Sequence, residues 1–196
     1  MTKPDLLKHI AQTGYNVGYG AKKHFATYDI ASKAPGSISF LTFGVGLYFL
    51  LIDFTAKKYF SAACIILGML GLRISMWDHK KEDYSQVGRK LTGLFNRVKA
   101  LYYQVKSAED ADLSRLEGEL SALQDEYNET CLSGQMLFSD WYAHYKFFWQ
   151  QQIDWMDEQL HFSLLRDKVP LSFSAVLALV MASGAVMLIV YFLKLA

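Results

Sequence analysis

The side chains able to do chemistry are few, and they do not converge. Asp140 and His144 stand four residues apart on one helical face and offer two metal-ligand types, but no third ligand follows at a usable spacing. No metal site is expected. A nucleophile, a base and an orienting group do not occur together, so the chain reads as a non-enzyme with no cofactor. Gly14, Gly18 and Gly20, followed by Lys22 and Lys23, have the order of a phosphate cradle. No strand precedes them and no Lys-Ser/Thr pair follows, so close helix packing is the first reading and a ligand site the second. Cys64 lies in an apolar segment and Cys131 in a polar one, so they are not expected to pair, which fits a reducing compartment.

What remains is polar chemistry inside apolar segments. Ser39, Thr42, Gly46 and Asp53 share one helical face at offsets of 3, 7 and 14 residues. Ser61, Cys64, Gly68, Gly71 and Ser75 repeat the arrangement at offsets of 3, 7, 10 and 14. Each segment thus carries one small or weakly polar stripe and one bulky face. Two readings stay open: the stripes let two helices pack closely, or they line a conduit in an oligomer, with Phe49 and Leu50 as a hydrophobic gate. Asp53 and Arg73 mark opposite ends of the pair; an ionisable group in a membrane is costly, but each lies near enough to an interface to snorkel.

The elements that must position these stripes are apolar spans. Ala34–Ile52 is a run of 19 residues and Tyr59–Leu72 one of 14, extended to Trp77 if Arg73 sits near the surface. The second is short for a span, which takes about 20 residues, but the tight Asp53–Lys58 connection makes the two insert as a hairpin. Val169–Leu193 adds 25 residues without a charge. The expected fold is therefore an all-α membrane protein: an N-terminal amphipathic helix (1–33), a transmembrane hairpin (34–77), a helical body (78–168) and a C-terminal transmembrane helix (169–195). Pro35 and Pro170 are expected at the starts of the first and third spans, where a missing N–H costs little.

In the body, Tyr84, Val87, Leu91, Leu94, Val98, Leu101 and Val105 follow one another at alternating intervals of 3 and 4, a heptad seam. The alternation resumes at Leu113, Leu116, Leu120, Leu123 and Tyr127 after an acidic break, which predicts an antiparallel coiled-coil hairpin reaching some 35–40 Å from the membrane. An aromatic helix is predicted from Met136 to about Leu164. Its Phe138, Trp141, Tyr145, Phe148, Gln152 and Trp155 share a face suited to packing on the N-terminal helix.

Charge supports this layout. Residues 1–35 sum to +3, the body to −5 and the rest to +3, giving the net +1. An acidic body between basic flanks is the wrong field for duplex nucleic acid and suits a lipid bilayer. Lys22, Lys23 and Lys33 before the hairpin and Lys80, Lys81, Arg89 and Lys90 after it outnumber Lys57 and Lys58 in the turn. The N-terminus and body are expected in the cytoplasm and the C-terminus in the periplasm. The first 30 residues lack the continuous apolar core of a secretory signal.

Three stretches together resemble the SLATT family of bacterial membrane effectors, which associate with proteins that sense and synthesise nucleotide second messengers. They are GYNVGYGAKKHFATYDI (Gly14–Ile30), KKEDYSQVGRKLTGLFNRVKALYYQVK (Lys80–Lys106) and FSDWYAHYKFFWQQQIDWMDEQL (Phe138–Leu160). The resemblance spans residues 1–162. It implies a two-span helical effector that assembles as a homo-oligomer in the inner membrane and is silent until infection is sensed. It then permeabilises the membrane, an abortive-infection form of antiphage defence. A nucleotidyltransferase, reverse transcriptase or other sensor encoded nearby is the implied partner. The third span departs from that two-span description; its Ser174, Ala178 and Ala182 suit helix contact rather than a pore wall. A membrane-anchored scaffold that recruits a soluble sensor is the alternative, motivated by the acidic outer body at Glu109, Asp110, Asp112, Glu117 and Glu119.

Overall fold

The computed structural model describes residues 1–51, 57–109, 113–164 and 166–195. Among the described residues every regular element is helical. Helix α1 (Lys3–Leu51) leads into α2 (Lys57–Ser75), and a 3-10 turn at Asp78–Lys80 opens α3 (Lys81–Ser107). Then come α4 (Leu113–Thr130), α5 (Ser139–Gln150), α6 (Asp154–Leu160) and α7 (Leu171–Leu195).

The N-terminal helix and the first span are one element. Pro35 lies inside α1, not at the start of a new helix. A proline removes one ladder bond, and a helix survives this where packing on both sides holds it in line. Here the half before Pro35 is clamped in the body and the half after it in the hairpin. Pro170 does precede its helix, and its carbonyl accepts from Ser174 N–H at 3.0 Å in the first turn of α7.

The body is a bundle built around the first half of α1. Phe25 meets Gly88, Gly18 meets Phe95, and Lys3 Nζ donates to Ala108 O at 2.8 Å, so α1 and α3 run antiparallel over their whole shared length. Helix α4 returns parallel to α1, with Met1 beside Glu117, His9 beside Gln124 and Gly20 beside Tyr127. The heptad seam of α3 is buried at Tyr84, Leu91, Leu94, Val98, Leu101 and Val105, together with Leu113, Leu116, Leu120 and Leu123 of α4. It buries against α1 as well as α4: Leu6, Ile10, Ala11 and Val17 of α1 belong to the same core. The expected two-helix hairpin is thus two sides of a larger bundle, and α1 extends to its tip. Acidic Glu82 and Asp83 in the first turn of α3 and Lys106 in the last oppose its dipole favourably.

The aromatic segment is two short helices, broken at Gln151–Ile153, rather than one long one. The break turns the chain so that Ile153, Trp155 and Met156 enter the core beside Phe147 and Phe148. The face predicted for a continuous helix therefore holds only in part: Phe148 and Trp155 are buried in the core. Phe138 and Tyr145 are exposed, while Ala143 and Phe147, off that face, are buried. The segment does pack on α1, with Tyr15 edge-on to Phe147 at 5.4 Å between ring centroids.

Outside the body, no residue of the apolar window of α1 is buried. The hairpin leaves Phe40, Phe43, Leu50, Leu51, Ile65 and Leu72 exposed, and α7 leaves Phe173, Leu179 and Met181 exposed. An apolar surface of this extent is what a bilayer covers, and the core helix of a soluble protein does not show it.

Candidate functional site

The hairpin is held by a narrow seam. A Cβ placed on Gly71 would touch Ile38 at 3.4 Å, and Phe49 meets Phe60 edge-on at 5.3 Å between centroids. These pairs fix the antiparallel register. Within it Gly71 is buried, while Thr42, Cys64 and Gly68 are half-buried. Thr42 returns its hydroxyl to the Ile38 carbonyl at 2.9 Å, so its polar atom is satisfied inside its own helix.

The other stripe residues do not meet in the seam. Ser39, Gly46, Ser61 and Ser75 are exposed. Gly46 and Gly68 have nothing within 4 Å of an added Cβ. Each predicted stripe is therefore divided between a face closed within the chain and one left open. Of the two gate residues, half-buried Phe49 packs within the hairpin, and Leu50 is 81% exposed. Asp53 lies outside the described residues. Cys64 in the hairpin and Cys131 beyond α4 are both free thiols.

The glycine-lysine cluster sits deep in the body. A Cβ on Gly18 would stand 2.8 Å from Phe95 and 2.9 Å from Phe147. One on Gly14 would run into Trp155, and one on Gly20 would lie 3.2 Å from Tyr127. Aromatic rings thus fill the space over all three glycines, the close approach that a missing Cβ permits. Lys23 pairs with Asp140 at 2.8 Å. Burial and the neighbouring Lys146 ammonium lower the pKa of the Lys22 amine. Asp140 is engaged by Lys23, and His144 lies edge-on to Tyr19. Among the described residues no three His, Cys, Asp or Glu gather as metal ligands.

A polar clamp above the hairpin was not singled out in the sequence. The His24 Nδ1–H donates to the Gly20 carbonyl at 2.7 Å, and Nε2 accepts from Leu132 N–H and the Gln135 amide, both at 3.2 Å. Thr27 donates to Gln135 Oε1 at 2.7 Å, and Met136 N–H donates back to Thr27 at 3.4 Å. Tyr84 closes the group by donating to the Gly134 carbonyl at 2.6 Å. Together these bonds fasten the 131–138 loop to α1. Burial lowers the His24 pKa, and the adjacent Lys23 charge adds to that, against the opposing bonds to Gly20 and Leu132. The signal available in the sequence was the three-residue spacing of His24 and Thr27 on a helix face otherwise made of the small residues Gly20, Ala21 and Ala31.

A second fastening joins α1 to α5. Asp29 accepts from Lys33 at 2.8 Å and from Lys146, all beside the start of the hairpin. Burial alone would raise the Asp29 carboxyl, but the two ammonium donors outweigh it and hold its pKa below the usual range. The loop, the α1–α5 pair and the contact of Trp141 Nε1–H with Ser172 Oγ at 2.9 Å all gather where the apolar helices leave the body.

No curated protein and no solved structure matches the chain. A family model does: the SMODS and SLOG-associating 2TM effector domain 6 matches residues 1–177, from the start of the chain into α7. An all-helical fold, an exposed apolar hairpin and this match across most of its length place the protein among membrane effectors, and the chain belongs to the SLATT family.

Proposed function

We propose that this effector acts in antiphage defence by assembling in the bacterial inner membrane and opening it, so that the infected cell stops supporting the phage. The observation that carries the reading is the division of the hairpin stripes. One hairpin encloses no pore, and its seam is closed by Ile38 against Gly71 and Phe49 against Phe60. Ser39, Gly46, Ser61 and Ser75 stay open for neighbouring hairpins or for water. Several protomers bring such faces together around an axis. The body is the cytoplasmic part, in keeping with the lysines and arginines that flank the hairpin on that side. All three apolar helices then enter the bilayer from the body's side, and the C-terminus lies in the periplasm. A sensor associated with the family, such as a nucleotidyltransferase, supplies the trigger.

The test replaces residues 34–77 with an unrelated two-span anchor in cells challenged with phage. Loss of protection and of membrane depolarisation, with expression and membrane location unchanged, is the expected result. Retained protection would make the hairpin a mere anchor and the body a scaffold for a soluble partner.

A further inference from the structure

Where the hairpin meets the body lies a cavity of about 380 Å³. Ile30 and Ile38 of α1, Leu70 and Ile74 of α2, and Leu137 and Phe138 of the 131–138 loop give it apolar walls. Met136, Arg73 and Trp77 complete the lining. Its size falls within the roughly 300–1,000 Å³ of ordinary ligand sites. The walls come from three parts of the chain that meet only in the folded molecule.

Arg73 is the unusual member. It is exposed, and its only side-chain partner among the described residues is the Met76 thioether at 3.7 Å, a weak acceptor. By contrast, Lys33 is paired with Asp29 at 2.8 Å and Lys81 with Asp78 at 2.6 Å. A guanidinium with five donors and no anion, set beside an apolar hollow, complements an amphiphile with a phosphate head and a hydrocarbon tail. Trp77, one turn beyond Arg73, belongs to a residue type that concentrates at the headgroup level. Leu70, which lines the cavity, is also exposed on the apolar outer surface of the hairpin, so a tail entering there stays against hydrocarbon.

The geometry points to a binding site for one anionic phospholipid, its phosphate on Arg73 and part of an acyl chain between Ile38, Ile74 and Leu137. The lipid bridges α2 to the loop held by His24 and Thr27, and so ties the hairpin to the body. Phe138 stands at its edge in a left-handed backbone conformation, φ 67°, which a bulky side chain adopts only under constraint. The inference rests on the hairpin lying in a bilayer and not on its opening one.

The experiment is native mass spectrometry of the full chain, released from detergent with equimolar phosphatidylglycerol and phosphatidylcholine of identical chains. The expected result is retention of phosphatidylglycerol over phosphatidylcholine by about tenfold, because both phosphates can accept from Arg73 but the choline sets a second cation beside the guanidinium and leaves the headgroup without net charge. Arg73→Gln should bring the two lipids to parity, and Arg73→Lys should keep part of the preference. Ile74→Trp, which fills the hollow, should reduce retention of both. Melting temperatures of the lipid-free variants, unchanged for the two Arg73 substitutions, show that the fold is intact. Equal retention by the native chain, or a preference that survives Arg73→Gln, would overturn the site. So would an Ile74→Trp protein whose oligomer distribution changes while its lipid retention does not, because the hollow would then belong to a second copy of the chain.

Discussion

At the scale of single residues, the body is held by close approaches that one atom can spoil. Gly18 is the sharpest case, with Phe95 and Phe147 both buried over it. Alanine there gains helix propensity of about 1 kcal/mol but forces two packed rings to move, and overpacking costs about 1–3 kcal/mol. Gly18→Ala should therefore lower the melting temperature. Gly44→Ala, with nothing within 4 Å of the new carbon, should leave it unchanged or raise it. Equal shifts for the two would contradict the packing role. His24 sets a pH dependence. Its folded pKa is depressed, so the neutral ring's contribution is complete above the unfolded value near 6.5 and is lost as pH falls below it. Asp29 is also depressed, and its contribution disappears only at lower pH, below about 4. Thermal melts from pH 8 to pH 5 should show a decline that starts below about pH 6.5 and is smaller in His24→Gln, the remainder coming from His144, whose pKa burial also lowers. A native profile flat across that window would contradict the neutral-ring assignment.

At the scale of elements, periodicity told which faces are buried and not what covers them. The 3-and-4 spacing of Leu91, Leu94, Val98 and Leu101 marked the seam of α3, and the seam is buried. That α1 shares it with α4 was not visible, because an N-terminal helix with three glycines reads as a weak helix until the rings over Gly14, Gly18 and Gly20 are seen. The aromatic segment misled for a related reason. Nothing like Pro or Gly punctuates Gln150–Asp154, so one helix was the natural reading, and the break follows from bringing Trp155 and Met156 into the core. Pro35 misled in the opposite sense, as a breaker overridden by packing on both sides. The hairpin was legible from its apolar runs, but the division of its stripes required the register set by Ile38 and Gly71. Two predictions belong here. Asp29 and Lys146, both mostly buried, should show a coupling of about 1–2 kcal/mol in a double-mutant cycle read by thermal melts. Additive effects would mean that the pair does not fasten α1 to α5. Removal of α7 should leave the protein in the membrane fraction, because the hairpin inserts as a pair. Release into the soluble fraction would make α7 the principal anchor.

At the scale of the whole molecule, the chain divides its labour at the junction between hairpin and body. The body buries a continuous core shared by α1, α3, α4, α5 and α6, while the hairpin closes one face and leaves another open. The proposed action on assembly needs this combination. The open face is proposed to serve contact between protomers or conduction, and Gly46 isolates it: among the described residues nothing beyond its own stretch of helix lies within 4 Å of an added Cβ. The most direct test is dye release from liposomes carrying the protein in its activated, assembled form, alongside the Gly46→Leu variant. Release by the native protein is expected, with a marked loss of release in Gly46→Leu and an unchanged melting temperature of the protomer. Liposomes that stay tight around fully assembled native protein, or a Gly46→Leu protein that releases dye at the native rate, would contradict it.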